Sequence, residues 1–433
     1  MYTEALAQQR IFFGEKMVLK LGFILLAMAV FSGQNMPIDA YYTGGSVIKN
    51  YIHENITEKE QNDALFLLRE KWNSQIEEKY GKNKIVKIDD GIIYTKMVKY
   101  INSRKIKINI AEINRSINPD IEILPVMASD KMHSKSSIKN IAENNNAIVA
   151  VNGTYYKQNT GTPLGTLVIN NEIISGPIYE RVAFAINKEG FETARISFEG
   201  YIKNNKKKIT IDNINQPRML ASNVLVYTPK WGKTAPLMKK TGLYIAVGVN
   251  KIIEISNKPL AIPENGFVIS GPKEKLNSFQ TGDKVEYEYG LNPNMDKVRN
   301  IISGGPYLIK EGEIFIDTTA QKLKAITGRN PRTAVGYTKD NVMILVTVEG
   351  RKEGSSGMTL YELAKLMKEL GCYEAINLDG GSSTAMYADG MVYSGSNIKN
   401  PVRISNILAV KFVRTKFHDK RIASRGCSRV GLQ

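Results

Sequence analysis

The chain has 433 residues, 42% of them hydrophobic and 23% charged, enough for one large domain with an appendage or two ordinary domains around a true core. Part of its net charge of +17 sits in patches: seven Lys/Arg against one Asp from Lys411 to Gln433, and a second group at Lys203, Lys206, Lys207 and Lys208. The patches lack interleaved aromatics and any nucleic-acid motif, so they favour a solvated or envelope-facing surface and polyanionic glycans over nucleic acid as a partner.

The two cysteines, Cys372 and Cys427, build no disulfide framework and no Cys-x-x-Cys motif. Cys372 reads as a buried thiol, and Cys427 lies in the basic tail. Of three histidines only His133 falls in the main body, which argues against a histidine zinc site and a Ser-His-Asp triad.

In chain order, the first feature is Leu21–Phe31 (LGFILLAMAVF), an apolar run behind Lys16 and Lys20. It is short for a membrane span and suits a signal-peptide core, with Met17 as a possible start and an imperfect cleavage point after Ala40; an uncleaved membrane anchor is the alternative. Either way the remainder is expected to be exported, to the cell envelope or beyond. Residues 1–40 are therefore set aside as upstream. Thr57–Tyr80 has Leu65, Leu68, Trp72 and Ile76 at helical spacing, so residues 41–90 read as a small helical appendage.

The main domain is expected over 91–413, with 414–433 as a basic, disordered tail. Lys105–Ile113 alternates like a strand, Ser137–Asn144 reads as a short helix, and Ala147–Val151 as a buried strand opening onto Asn152, Gly153, Thr154, Tyr155 and Tyr156. Thr166–Ile169 and Val182–Ile186 continue the strands. Residues 196–300 read as a β-rich insertion, from runs such as Ile209–Ile211, Tyr244–Val249, Gly266–Ile269 and Lys284–Tyr289. Ser303-Gly304-Gly305-Pro306 marks a tight backbone approach. Arg329 and Arg332 flank Pro331 just before a strand, and Met343–Val348 ends on Glu349-Gly350-Arg351.

The chain's organising stretch is Thr359–Met386. Thr359 with Glu362 forms a capping-box start, and Leu360, Leu363, Ala364, Leu366, Met367 and Leu370 make one apolar stripe closed by Gly371. A buried strand, Ala375–Leu378, then ends on Asp379 and the turn Gly380, Gly381, Ser382, Ser383, Thr384. Three strands thus end in polar residues followed by glycine, at Asn152, Glu349 and Asp379. Such endings present small polar sites; the plain alternative is turn chemistry, with Asn or Asp bonding local amides.

The motifs VNGTYY, SGGP, NPRTAVG, VEGR, SSGMTLYELAKLMKELG, INLDGGSSTAM and RISNILAV follow one another in the order that resembles the phosphodiester glycosidase family. The resemblance covers about 100 to 413 and is weakest over 196–300. It implies an α+β, mixed-sheet catalytic domain that cleaves a sugar from a phosphodiester. By the same resemblance the family's functional arginine, aspartate, asparagine and late arginine correspond to Arg332, Asp379, Asn152 and Arg403. The common Asp-Gly-Arg is Glu-Gly-Arg here, at Glu349, and Ser382 stands where many relatives have a third glycine.

Breaking a glycosyl–phosphate bond yields a stable anion, so the burden falls on charge stabilisation. Guanidinium forks match phosphate oxygens, making Arg332, Arg351 and Arg403 the phosphate candidates, with Thr333 beside them; an ion pair with a nearby carboxylate is the alternative for each. The sugar side needs a carboxylate, Asp379 first and Glu349 second. Amides of Gly304-Gly305 and Gly380-Gly381 are expected to form an anion-binding nest, and Ser382 and Ser383 to bond the sugar or phosphate. Two carboxylates without a third ligand make a weak case for a divalent cation, so no cofactor and no metal are expected. The reading is an exported hydrolase acting on sugar-1-phosphodiesters in glycans or cell-envelope polysaccharide. A non-catalytic envelope protein that binds phosphorylated polysaccharide during exopolysaccharide assembly is the rival. Contact with a membrane is expected only through the N-terminal segment, if it stays uncleaved.

Overall fold

A computed structural model describes residues 58–238, 242–295, 298–393 and 401–413. The apolar run 21–31, the possible cleavage point and the basic tail lie outside the described residues. No described helix is long and apolar enough to cross a membrane. The chain divides into two compact units, Met1–Phe66 and Leu67–Gln433. Residues 67–90 fall in the larger unit, where Ile85–Asp89 pairs with Ile92–Ile101 of the main sheet.

The labelled elements, in chain order, are α1 (Glu58–Tyr80), β1 (Ile85–Asp89), β2 (Ile92–Ile101), β3 (Arg104–Asn114), β4 (Ile121–Met127), α2 (Ile138–Asn144) and β5 (Val149–Asn152). They continue with β6 (Tyr307–Lys310), β7 (Glu313–Ile314), β8 (Arg332–Tyr337), β9 (Val342–Val348), α3 (Leu360–Glu369), β10 (Glu374–Asn377), β11 (Met386–Ala388), β12 (Met391–Tyr393) and β13 (Asn406–Phe412). An eight-stranded sheet runs β1-β2-β3-β9-β8-β10-β6-β7, and a five-stranded sheet runs β12-β11-β5-β13-β4.

Side chains alternate across each strand, so each sheet has two distinct faces. On the large sheet, Ile108, Ile110, Ala334, Val346 and Ala375 pack under the α3 stripe Leu360, Leu363, Ala364, Leu366 and Met367. Trp72, Ile76 and Tyr80 from the second half of α1 join that layer, while Leu68 stays exposed. The opposite face, with Tyr94, Ala111, Val335, Leu345, Ile376 and Leu378, meets Val149, Val151, Met386, Leu408 and Val410 of the five-stranded sheet. That second sheet is backed by Ile138, Ile141 and Ala142 of α2. The larger unit is therefore layered helix, sheet, sheet, helix.

The molecule is mostly β-sheet with few helices, a larger share of sheet than the α+β expectation implied; the mixed-sheet expectation is corrected, since the strand pairings of the eight- and five-stranded sheets are antiparallel. What the helices do is cap the outer faces. The Thr359 side chain accepts from Glu362 N–H while Glu362 accepts from Thr359 N–H, so the capping box is present as read. Between the halves, strands 197–203, 208–210 and 286–292 form one small sheet, and strands 213–214, 225–227, 242–248, 251–256 and 266–272 form another. They share a separate core of Ile202, Ile211, Val226, Ile245, Val247 and Ile269.

Candidate active site

The site is built where both sheets end together. After β10, Leu378 N–H bonds the Thr333 carbonyl at 2.9 Å and Asp379 N–H bonds the Gly153 carbonyl at 3.2 Å, so this turn is stitched to both sheets. Asn152, 1% exposed at the end of β5, completes the junction. Its Nδ2 donates to the Asp379 carbonyl at 2.7 Å, and its Oδ1 accepts from Thr333 Oγ1 at 2.6 Å and from Ala385 N–H at 3.1 Å. Asn152 is thus a three-way brace that fixes the backbone carrying the aspartate.

The Asp379 carboxyl accepts from Gly380 N–H at 2.9 Å. Burial pushes it up to about 7, against the hydrogen bonds from the Ser383 side chain and Gly380 that favour its ionised form. Two tyrosines flank it. Tyr155 Oη donates to the Gly305 carbonyl at 2.9 Å and accepts from Asn377 Nδ2 at 2.9 Å; burial first, then the Asp379 charge, holds its hydroxyl protonated well above the usual range. Tyr156 Oη donates to the Arg403 carbonyl at 3.1 Å and lies 3.4 Å from Ser383 Oγ. Asn377 Oδ1 and Thr384 Oγ1, both buried, have no hydrogen-bond partner among the described residues.

The three arginine candidates separate. Arg332, 2% exposed, donates from Nε to the Met358 carbonyl at 3.0 Å and from Nη2 to the Ile326 carbonyl at 2.7 Å and the Gly328 carbonyl. Burial lowers it to about 10, Tyr155 opposing and Arg351 adding to the shift. Arg351 is exposed and bonds Asn330 Oδ1, and a Cβ built on Gly381 would lie 3.6 Å from its Nη1, so it stands beside the aspartate's turn. The Arg403 guanidinium is spent elsewhere. Its Nε and Nη2 both bond the Lys135 carbonyl, at 3.0 and 2.7 Å, so only its backbone reaches the site.

Glu349 follows β9 and pairs with Lys352 Nζ at 3.0 Å. The pairings of β8 with β9 and β10 put β8 between Glu349 and Asp379. Two strand spacings put their Cα atoms about 10 Å apart. Glu349 shares its face with a polar row, Thr333 opposite Thr347 and Thr347 opposite Asn109, which ends on Tyr94 Oη at 2.8 Å from Asn109 Oδ1.

The glycine nest needs correction. Gly304 N–H bonds the Val182 carbonyl at 3.0 Å, Gly305 N–H the Asn377 carbonyl at 2.7 Å and Gly381 N–H the Pro331 carbonyl at 2.9 Å, while Gly380 N–H holds Asp379. All four amides are already committed, so these glycines serve close packing. A Cβ at Gly304 would fall 2.2 Å from the Asn377 carbonyl oxygen. Ser382 is exposed on the turn and Ser383 buried beneath it.

Two further groups at the site were not singled out from the sequence. Asn377 precedes the LDGG run, where its amide reads as strand interior. Arg181 lies in PIYERVAFAI, which matches no motif; its guanidinium carbon sits 5.1 Å from the Tyr155 ring centre. Only the contact between distant segments reveals them. Among the described residues no group of three or more His, Cys, Asp or Glu is arranged to hold a metal ion.

Residues 241–411 match the phosphodiester glycosidase family. The chain is 34% identical over 94 residues to a prophage-derived uncharacterized protein of Bacillus subtilis, across 21% of this chain and 14% of that protein. It is 30% identical over 105 residues to the mouse N-acetylglucosamine-1-phosphodiester alpha-N-acetylglucosaminidase, across 22% of this chain and 20% of that protein. It therefore spans no more than a fifth of either relative's length. A solved structure of a hypothetical protein from Synechocystis superposes with a TM-score of 0.70 at 25% identity, covering 76% of this chain and 63% of that one. The match and the ordered motifs agree on one region: residues 241–411, which hold the Arg332, Glu349, Asp379 and Arg403 motifs, are similar to the phosphodiester glycosidase family.

Proposed function

We propose that the protein is an exported hydrolase that releases a sugar from a sugar-1-phosphodiester in a glycan or cell-envelope polysaccharide. The observation that carries this reading is the Asp379 carboxyl, braced through Asn152 to both sheets and set beside Tyr155, Ser383 and the Arg332–Arg351 pair. The C1–O bond breaks with its electron pair staying on the phosphate, and a water oxygen bonds C1, one of its protons being given up to solvent. The Asp379 carboxylate meets the positive charge that develops at C1. Arg351, an exposed cation beside the turn, receives the departing phosphate; Arg332 adds positive charge from behind. Tyr155, held protonated, stays a hydrogen-bond donor throughout.

Export is supported by the apolar run 21–31 behind two lysines, and a phosphorylated polymer by the net charge of +17. The test is to incubate the full chain with a synthetic N-acetylglucosamine-1-phosphodiester and measure free sugar. Release by the parent and loss in Asp379→Asn supports the reading. Equal absence of release, with the phosphorylated glycan bound by both, makes the protein a glycan binder instead.

A further inference from the structure

Pro177–Tyr179 and Lys322 on one side, and residues between Asp212 and Leu225 of the β-rich insertion on the other, enclose a cleft of about 460 Å³. That volume lies within the usual range of small-ligand sites. The cleft is joined to the Asp379 turn by a chain of rings and cations. Arg181 lies between Tyr155 and Tyr179, 5.1 and 5.7 Å from their ring centres, and Lys322 Nζ is 4.4 Å from the Tyr179 centre. The Tyr155 hydroxyl in turn feels the Asp379 charge.

Two independent features of this region ask for a ligand. Arg181 is partly buried, and its Nε approaches the Gln321 carbonyl at 3.4 Å; the other groups acting on it are the two tyrosines. A sheltered guanidinium without a carboxylate is costly until an anion arrives. Gln216, 3% exposed, lines the cleft with its Nε2 anchored on Ser175 Oγ and the Gly176 carbonyl, yet its Oε1 has no partner. That oxygen lacks a donor, which a hydroxyl supplies and a hydrocarbon does not. Tyr179 adds an exposed ring, and Met219 and Leu220 an apolar rim. The cleft's carboxylate, Asp212, already accepts from Val224 N–H at 2.6 Å.

From this arrangement we infer that the cleft is the leaving-group subsite: Arg181 and Lys322 add their charge to that of Arg351 on the cleft side of the phosphate, and Tyr179 and Gln216 seat a polyhydroxylated group esterified to its far side. The inference rests on the hydrolase reading and extends it to residues outside the Asp379 turn. A polyol and a sugar ring share the required chemistry.

The experiment compares kcat/KM of the full chain on N-acetylglucosamine-1-phosphate esterified to methanol, glycerol, a methyl hexopyranoside and decanol. A hydroxylated ester is expected to be preferred over the methyl ester by about tenfold, some 1.4 kcal/mol, with the glycerol and hexopyranoside arms telling the two sources apart. In Tyr179→Ala that preference should fall towards unity, whereas Arg181→Lys should lower kcat/KM on all four esters alike. Equal turnover of methyl and hydroxylated esters, or preference for the decyl ester, overturns the subsite while leaving the hydrolase reading intact. If no ester is cleaved, the hydrolase reading fails by itself. Calorimetry with glycerol phosphate and hexopyranoside phosphate then decides: binding to the parent that weakens about tenfold in Tyr179→Ala retains the cleft as a phosphoester site, and no binding to the parent discards it.

Discussion

Asn152 Nδ2 donates to the main-chain carbonyl of Asp379 at 2.7 Å, across 227 positions of sequence. The same amide accepts from Thr333 and Ala385, so one side chain ties β5, β8 and the aspartate's turn into a single unit. Removing it strands buried groups on three segments. Asn152→Ala should lower stability by about 2–4 kcal/mol, since each unpartnered buried donor or acceptor costs 1–3 kcal/mol. Chemical denaturation measures that loss. Asn152→Asp cannot donate to the Asp379 carbonyl, so it should lose sugar release even where it still folds.

The raised Asp379 carboxyl makes two pH predictions of opposite direction. In the unfolded chain the group titrates near the ordinary aspartate value, and in the fold near 7. The folded form therefore holds its proton more tightly. The stability this confers is complete below the unfolded value and drains away as pH rises through 7. Asp379→Asn should accordingly gain on the parent in unfolding free energy between pH 5 and 8, by roughly 1–3 kcal/mol at the upper end, as chemical denaturation across that range would measure. Sugar release should move the opposite way, climbing with pH through about 7 in the parent as the carboxylate forms. A profile that falls across this range would mean that Asp379 donates a proton rather than meeting C1.

How much of this was legible beforehand depends on distance along the chain. The α3 helix with its Thr359 cap, the strand before Asp379 and the glycine-bearing strand ends are local patterns, and the residues announce them directly. The share of sheet was harder. The β1–β2 hairpin joins the main sheet ahead of residue 91, and α1 from Leu67 onward contributes Trp72, Ile76 and Tyr80 to a core that the sequence reading placed further on. Helical spacing in α1 was visible, but which neighbour it buried against was not. Arg403 illustrates the same limit: its position beside the site is set by its backbone, while its guanidinium turns to Lys135. Neither outcome has a local signal.

The arginines should behave differently when mutated. Arg332 satisfies the Met358, Ile326 and Gly328 carbonyls from a buried position. Lysine has no fork and cannot reproduce these bonds, so Arg332→Lys should cost about 2–3 kcal/mol in denaturation as well as activity. Arg351 is exposed and, among the described residues, bonds the Asn330 side chain. Arg351→Ala should leave the denaturation midpoint within about 0.5 kcal/mol and appear in the kinetics of sugar release. Equal stability losses for both would remove the distinction between brace and ligand.

Glu349 tests whether the second carboxylate takes part. It is held by Lys352 and stands across β8 from Asp379. Glu349→Gln should therefore reduce kcat far less than Asp379→Asn, by about tenfold against a thousandfold. Comparable losses would bring Glu349 into the reaction as the base that activates water.

Gly304 distinguishes an anion nest from close packing. If its amide received phosphate, Gly304→Ala would keep that amide and disturb mainly the shape of the site. The amide is committed to the Val182 carbonyl, however, and a Cβ would meet the Asn377 carbonyl oxygen at 2.2 Å. That oxygen is backbone, bonded in turn by Gly305 N–H, so it cannot swing aside as a long side chain would. Relief requires β10 to move, and with it the turn that begins at Leu378. Gly304→Ala should thus cost about 3 kcal/mol or more in denaturation and lose activity through misplaced Asp379. Gly380→Ala, where the new carbon would stand 2.9 Å from the Pro331 carbonyl oxygen, should show a smaller loss of the same kind. A normal melt with weakened substrate binding in Gly304→Ala would restore the nest.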